Sequence, residues 1–346
     1  MADALIPATA PTGQSGRPDP ADDEGRPRPG DLVVGVDGSP ESFAALRWAL
    51  SEASLLRRHV TVVYGWTHSW DMGSQPDDDE AWAGVSDRIS RRLHDWAAKA
   101  CEGVAITPQE LSLVSVHSSG TAALLKLGSS AQQIVVGRRS LGRVARWFTG
   151  SLSASLAEEA KVPVTIVRTH ADDREVRNAI AAALSPAAPS LPSLSVVHDA
   201  GVRPASPRTA VVVGVDGSAP SRRALRFAAD TARAHGAPLH VLFCWQLRDL
   251  GEIPGYENAV APLDVAQGHA ESVVRRIVGE AGLADDVHPL AHAFHIPAAK
   301  GLIDASRYAS RVVVGSRGLN GLDAHFMGSV SRQVVSLAEC TVTVVH

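Results

Sequence analysis

Cysteine is scarce in this chain of 346 residues: Cys101, Cys244 and Cys340 are scattered, odd in number and free of any CxxC spacing. That excludes a disulfide framework and a zinc ribbon. Long apolar runs are missing too, and a bilayer-spanning helix would need roughly 20 such residues. The opening stretch MADALIPATAPTGQSGRPDPADDEGRPRPG lacks the basic patch and apolar core of a signal peptide. An excess of positive charge is likewise absent. The formal net charge is −4, which gives no general electrostatic reason to bind nucleic acid. A cytoplasmic, soluble protein with neither a membrane nor a nucleic-acid partner is expected.

What is present is a repeat. LVVGVDGS at 32–39 returns as VVVGVDGS at 211–218, and IVVGRRSL at 134–141 returns as VVVGSRGL at 312–319. FTGSLS at 148–153 returns as FMGSVS at 326–331, and VPVTIV at 162–167 returns as CTVTVV at 340–345. The offset stays at 178 or 179 throughout, so order and spacing are both kept. Two domains are expected, at 31–169 and 209–346, each of a size to bury its own core. Residues 1–30, rich in Pro, Gly and Asp, are predicted to be a disordered tail. Residues 170–208 read as a Pro/Ala/Ser linker with room for a short helix over 172–184.

Within each unit, apolar runs of Val and Leu alternate with helical patterns. Runs without strict alternation mean strands buried on both faces, as in a parallel sheet. In the second unit, strands are predicted at 210–216, 238–245, about 287–294, 311–315 and the C-terminus. Helices are predicted after Ser218, over 263–281, from about 297 and from Gly328–Ser329. Ser218 is a fair N-cap, and Pro220 suits a first turn. The fold class is α/β: two tandem doubly wound, Rossmann-like domains, each a five-stranded parallel sheet of order 3-2-1-4-5.

In such sheets ligands bind beyond the strand ends where the strand order reverses, between strands 1 and 4. Those ends are the most faithfully repeated segments. Strand 1 ends in Val-Asp-Gly-Ser, and strand 4 runs into GSRGLNGLDAHFMGSVS at 315–331. Glycines three apart, nine further residues and then Gly-Ser at a helix start describe a cradle for phosphate. A carboxylate at the end of strand 1 accepts hydrogen bonds from a base or ribose. Ser331 is a weaker phosphate candidate.

VDGS after strand 1, GxxGx9GS after strand 4 and the closing VTVV strand resemble the universal stress protein family in its tandem form. The resemblance covers all but the tail and linker. It implies binding of ATP, usually with a divalent cation such as Mg²⁺, in a regulatory stress-response role with at most slow hydrolysis and an unidentified protein partner. It implies pairing through last strands, as a pseudo-dimer within the chain or a homodimer between chains. Carried across, it assigns Val215, Asp216, Cys244, Gly315, Arg317, Gly318, Gly328, Ser329 and Val330 to the second-unit site. The matching first-unit positions are Val36, Asp37, Gly65, Gly137, Arg139, Gly150, Ser151 and Leu152. No catalytic residue and no protein metal ligand is assigned.

The first unit departs at Ser140, where the pattern has glycine. If that position needs positive φ, serine costs about 1 kcal/mol or more. Arg138, Arg139, Arg143 and Arg146 would add positive charge near that loop.

Blander readings stand beside these. Asp37 and Asp216 are able to form Asx turns that cap the next helix. Cys244 fits a small apolar filler, Trp66 and Trp245 fit packing anchors, and His292 and His295 should face opposite ways along a strand. The run DDDE at 77–80 reads as a solvated loop. Two other functions stay open: a nucleotide-free scaffold, above all for the first unit, and an ATP-using nucleotidyl-transfer enzyme of related architecture. The latter lacks HxGH, SGGxDS and GK[ST] signatures in this sequence.

Overall fold

The computed structural model describes residues 27–67, 78–138, 151–168, 210–318 and 327–346. The tail to residue 26, the 170–208 linker with its 172–184 helix, and the segments 139–150 and 319–326 lie outside the described residues.

The first unit runs β1 (Leu32–Gly35), α1 (Pro40–Leu56), β2 (Val60–Trp66), α2 (Asp79–Cys101), β3 (Leu111–His117), α3 (Gly120–Leu127), β4 (Gln133–Gly137), α4 (Ser151–Glu159) and β5 (Val164–Val167). The second runs β6 (Ala210–Gly214), α5 (Ala219–His235), β7 (Leu239–Trp245), α6 (Leu263–Gly279), β8 (Leu290–His295), α7 (Ala298–Ala305), β9 (Ala309–Gly315), α8 (Ser329–Leu337) and β10 (Thr341–Val345).

These strands form one sheet of order β3-β2-β1-β4-β5-β10-β9-β6-β7-β8. Each half is parallel and has the 3-2-1-4-5 order expected of it. The halves meet where β5 and β10 pair antiparallel, with Thr343 opposite Thr165. Those two threonines are 178 residues apart, the repeat offset itself, and their hydroxyls lie 2.9 Å apart. A local twofold relation between the units therefore passes through this pair.

The valine runs explain the layering. Val211 and Val213 pack with Ala224 and Leu225 of α5 and Ala266 and Val274 of α6 on one face. Val212, pointing the other way, joins Leu302 of α7 and Val334 of α8. That second core continues across the seam to Ile134, Leu156, Val164 and Ile166 of the first unit. Burying one such side chain contributes about 1.5–3 kcal/mol, so the shared core binds the two halves into one body.

Local signals place the helix starts. Ser218 and Ser39 are N-caps whose hydroxyls accept from the Ser221 and Ser42 backbone N–H groups, with proline in the first turn of each helix. Gly236 ends α5 in the left-handed conformation, φ 58°. The acidic run is a correction: Asp78 caps α2 by accepting from the Ala81 N–H at 2.7 Å, and the helix begins at Asp79. A carboxylate ahead of a helix start offsets the exposed N–H dipoles, which is why these residues open a helix rather than fill a loop.

Candidate functional site

Both reversal points carry a cavity at the carboxyl ends of the strands. The second-unit cavity, about 1000 Å³, is bounded by all nine residues assigned to that site: Val215, Asp216, Cys244, Gly315, Arg317, Gly318, Gly328, Ser329 and Val330. The first-unit cavity, about 320 Å³, is lined by Val36, Asp37, Gly65, Gly137 and Leu152. Both volumes fall in the range of roughly 300–1,000 Å³ common for small-molecule sites. Ser151 opens α4, while Arg139 and Gly150, like Ser140, lie outside the described residues.

The strand-1 ends are built alike in the two units. The Ser218 N–H donates to Asp216 Oδ1 at 2.9 Å, and the Ser39 N–H donates to Asp37 Oδ1 at 3.0 Å. The Asx turns anticipated for both aspartates are therefore present. The turn runs through Gly217 (φ 84°) and Gly38 (φ 81°), a region that a Cβ disfavours. Each aspartate stands at its cavity wall with Oδ1 engaged in the turn.

The strand-4 end of the second unit closes on itself. The Gly328 N–H donates to the Ser316 carbonyl at 2.8 Å, so the chain leaves at Gly318 and returns beside its own starting point. Helix α8 then begins at Ser329 with no side-chain cap. Uncapped N–H groups at a helix start carry roughly half a positive charge and attract anions. Arg317 lines the same wall. Ser331 also lines this cavity, but it is buried and its hydroxyl donates to the Gly315 carbonyl at 2.7 Å, tying α8 to β9.

Gly318 answers the condition raised at its counterpart, Ser140. Its φ lies outside the left-handed region. What the position lacks is space, since a Cβ there would sit 2.5 Å from Asp216 Oδ2. The Arg138 guanidinium donates to the Ala338 carbonyl at 3.3 Å and to the Ser336 carbonyl, at the far end of α8. These contacts reach across the seam, where orphan carbonyls at a helix C-terminus offer acceptors.

Cys244 packs against Gly301, and burial pushes its thiol up to about 11. It is a filler, since the thiolate is the reactive form. Iodoacetamide near pH 8 is expected to leave Cys244 unmodified in native protein, where only about one thiol in a thousand would be ionised, and to modify it in urea. Peptide mass spectrometry reads the difference.

Trp245 and Trp66 are buried packing anchors, stacked on His295 and His117 at 4.4 Å in both units. His292 stacks instead on His240 and Phe294. Among the described residues no group of three or more His, Cys, Asp or Glu side chains comes together to hold a metal.

Sequence reasoning missed Gln246, Arg248, Asp249 and Lys300 in the second cavity. They sit in the loop after β7 and in the first turn of α7, where no repeated motif marks them. With Arg317 they give the described lining three cations against the carboxylates of Asp216 and Asp249. The described lining of the first cavity has Asp37 and no cation.

A tandem of doubly wound α/β units, each with a cavity at its strand-order reversal and an Asx-turn aspartate at the rim, defines the class. The chain belongs to the universal stress protein family: the family model matches residues 30–168 and again 207–346. A universal stress protein of Mycobacterium tuberculosis strain H37Rv is 29% identical over 318 residues, covering 90% of this chain and 96% of its own. Another, from Mycolicibacterium smegmatis, is 30% identical over 327 residues, covering 91% and 96%. Among solved structures, a universal stress protein of Archaeoglobus fulgidus aligns with a TM-score of 0.59 at 16% identity, over 91% of this chain and 97% of that one. Among the described residues no helix is long and apolar enough to cross a membrane.

Proposed function

We propose that the chain is an ATP-binding regulatory protein of the stress response, made of nucleotide-binding units at 31–169 and 209–346 joined by a linker at 170–208. The supporting observation is the second-unit cavity, where an uncapped helix start, Arg317, Gly318 and the Asp216 carboxylate surround one space at the strand-order reversal. Phosphate fits the helix start and the cations, and the hydroxyls of a ribose fit Asp216. A charge-assisted hydrogen bond contributes about 1.5–3 kcal/mol, so a few of them with base burial account for micromolar affinity.

Magnesium would arrive with the triphosphate. Mg²⁺ binds through phosphates and one or two carboxylates while keeping several waters, and Asp216 and Asp249 supply carboxylates at this cavity. No general base is assigned beside the terminal phosphate, so hydrolysis is slow and nucleotide occupancy is the signal. The antiparallel β5–β10 pairing supports reading the two units as a pseudo-dimer within one chain.

Titration calorimetry of ATP with and without MgCl₂, with adenosine as the comparison, tests the reading. Micromolar ATP binding that is much weaker for adenosine is expected; equal affinities would contradict a phosphate cradle.

Three observations favour a second reading for the first unit alone. Its cavity is smaller, its described lining has no cation, and Ser140 replaces the glycine of the second unit. A nucleotide-free first unit would act as a scaffold for the second.

A further inference from the structure

We propose that Arg138, a residue of the first unit, positions the phosphate-binding end of the second unit's site and so links the two sites across the seam. The proposal rests on the nucleotide reading above.

Helix α8 has nine residues and is about 14 Å long at 1.5 Å per residue. A helix this short is marginal alone and takes its position from what grips it. Its N-terminus, Gly328–Ser329, forms part of the second cavity's wall. Its C-terminus is gripped by the other unit. Arg138, directly after β4, donates to the Ala338 and Ser336 carbonyls. Arg168, directly after β5, donates to the Ala338 carbonyl as well. Two cations thus satisfy carbonyls that the helix leaves without partners, and each stabilises the end of the dipole it faces. Ser331, tied to the Gly315 carbonyl, fixes the first turn of α8 against the end of β9.

The reverse brace exists too, in weaker form. Helix α4, whose Leu152 lines the first cavity, is held by the second unit. The ring nitrogens of His346 approach the Ala157 carbonyl at 3.0 Å and the Val162 carbonyl at 3.1 Å. Arg332 pairs with Glu158 at 2.9 Å, half exposed to solvent. His346 stands 178 residues after Arg168, so the same position does this work in both units. The position equivalent to Arg138 is Ser316, which has no cation to contribute. The brace is therefore asymmetric, and its larger effect falls on the second site.

Displacing α8 moves the N–H groups that meet phosphate, while the β6–β7 side of the cavity, with Val215 and Cys244, stays in place. Loss of Arg138 should accordingly weaken ATP binding and leave adenosine binding alone. The test is calorimetry of ATP and of adenosine with the full chain in an Asp37→Ala background, which removes the first-unit site, comparing Arg138, Arg138→Ala and Arg138→Lys. Arg138→Ala is expected to weaken ATP roughly three- to thirtyfold, from the loss of a cation at a helix C-terminus. Adenosine affinity is expected to be unchanged, lysine to restore part of the loss, and α8 amides to exchange faster with deuterium in the alanine variant.

Equal loss of ATP and adenosine would mean general damage and overturn the positioning role, and so would unchanged ATP affinity in Arg138→Ala. Absence of ATP binding with Arg138 intact would overturn the nucleotide reading itself, and the proposal with it.

Discussion

Gly318→Ser is expected to lower the affinity of the second-unit site for ATP by roughly ten- to a hundredfold, the loss of one charge-assisted hydrogen bond. The cause is spatial. A Cβ at 318 would lie 2.5 Å from Asp216 Oδ2, closer than such atoms approach. The carboxylate cannot simply turn aside, because its other oxygen accepts the Ser218 N–H at 2.9 Å in the Asx turn. Either the turn opens or the cradle backbone at 317–318 retreats, and both remove a ligand contact. Gly318 is exposed and Gly217, not Gly318, carries the left-handed φ, so the melting temperature should move little. Titration of ATP with a thermal melt as control checks both halves. Ser140→Gly in the first unit is the reverse experiment and should raise affinity there.

The second large effect is on stability. Glu52→Ala is expected to cost about 3–5 kcal/mol, as removing one member of a buried ion pair does. Glu52 lies on α1 of the first unit and Arg311 on β9 of the second, each side chain 5% exposed, with Oε1 to Nη2 at 2.8 Å. The other carboxylate oxygen meets His235 Nε2 of α5 at 2.9 Å, and the Arg311 guanidinium lies 4.7 Å from the Trp48 ring centroid. Alanine would leave a guanidinium buried at the seam without its carboxylate.

The same pair fixes a pH dependence. Burial works against ionisation of Glu52, but the His235 hydrogen bond and the Arg311 charge outweigh it, holding the carboxyl below its ordinary 4.5. A folded-state value below the unfolded one adds stability that is complete above the unfolded value and is lost as pH falls through the folded one. Urea unfolding should therefore show a gap between wild type and Glu52→Gln that narrows as pH falls below the ordinary value of 4.5. A gap that widens in acid would contradict the assignment.

Much of this was legible in the sequence because it is written in repeated, local signals. Valine runs specify doubly buried strands, a serine N-cap and a first-turn proline specify a helix start, and a constant offset of 178 or 179 residues carries one unit's reading to the other. Cavity-lining residues such as Asp216 and Gly328 were found because they stand at strand ends and helix starts, which the fold class brings together.

What stayed hidden depends on approach between distant segments. Arg138 looks like loop charge in sequence, yet its acceptors are 198 and 200 residues away. Arg248 and Lys300 reach the cavity from a loop and a helix turn that no repeat marks. At Gly318 the sequence left open whether the position needs a positive φ or needs space, because a glycine serves either; the approach of Asp216 Oδ2 decides for space. Asp78 and Glu80 are solvated as read, but they open a helix instead of lying in a loop, because acidic residues suit both settings, while residue 77 lies outside the described residues.

The central claim is that this chain carries nucleotide at its strand-order reversals. The most direct measurement is to purify the protein without added nucleotide, denature it with heat, and identify and count what is released by liquid chromatography and mass spectrometry. The account predicts ATP, held by the second unit and lost in Gly318→Ser and Asp216→Ala, with a second equivalent only where the first unit also binds. Protein that releases no nucleotide, and then gives no binding heat with ATP and Mg²⁺, would contradict it.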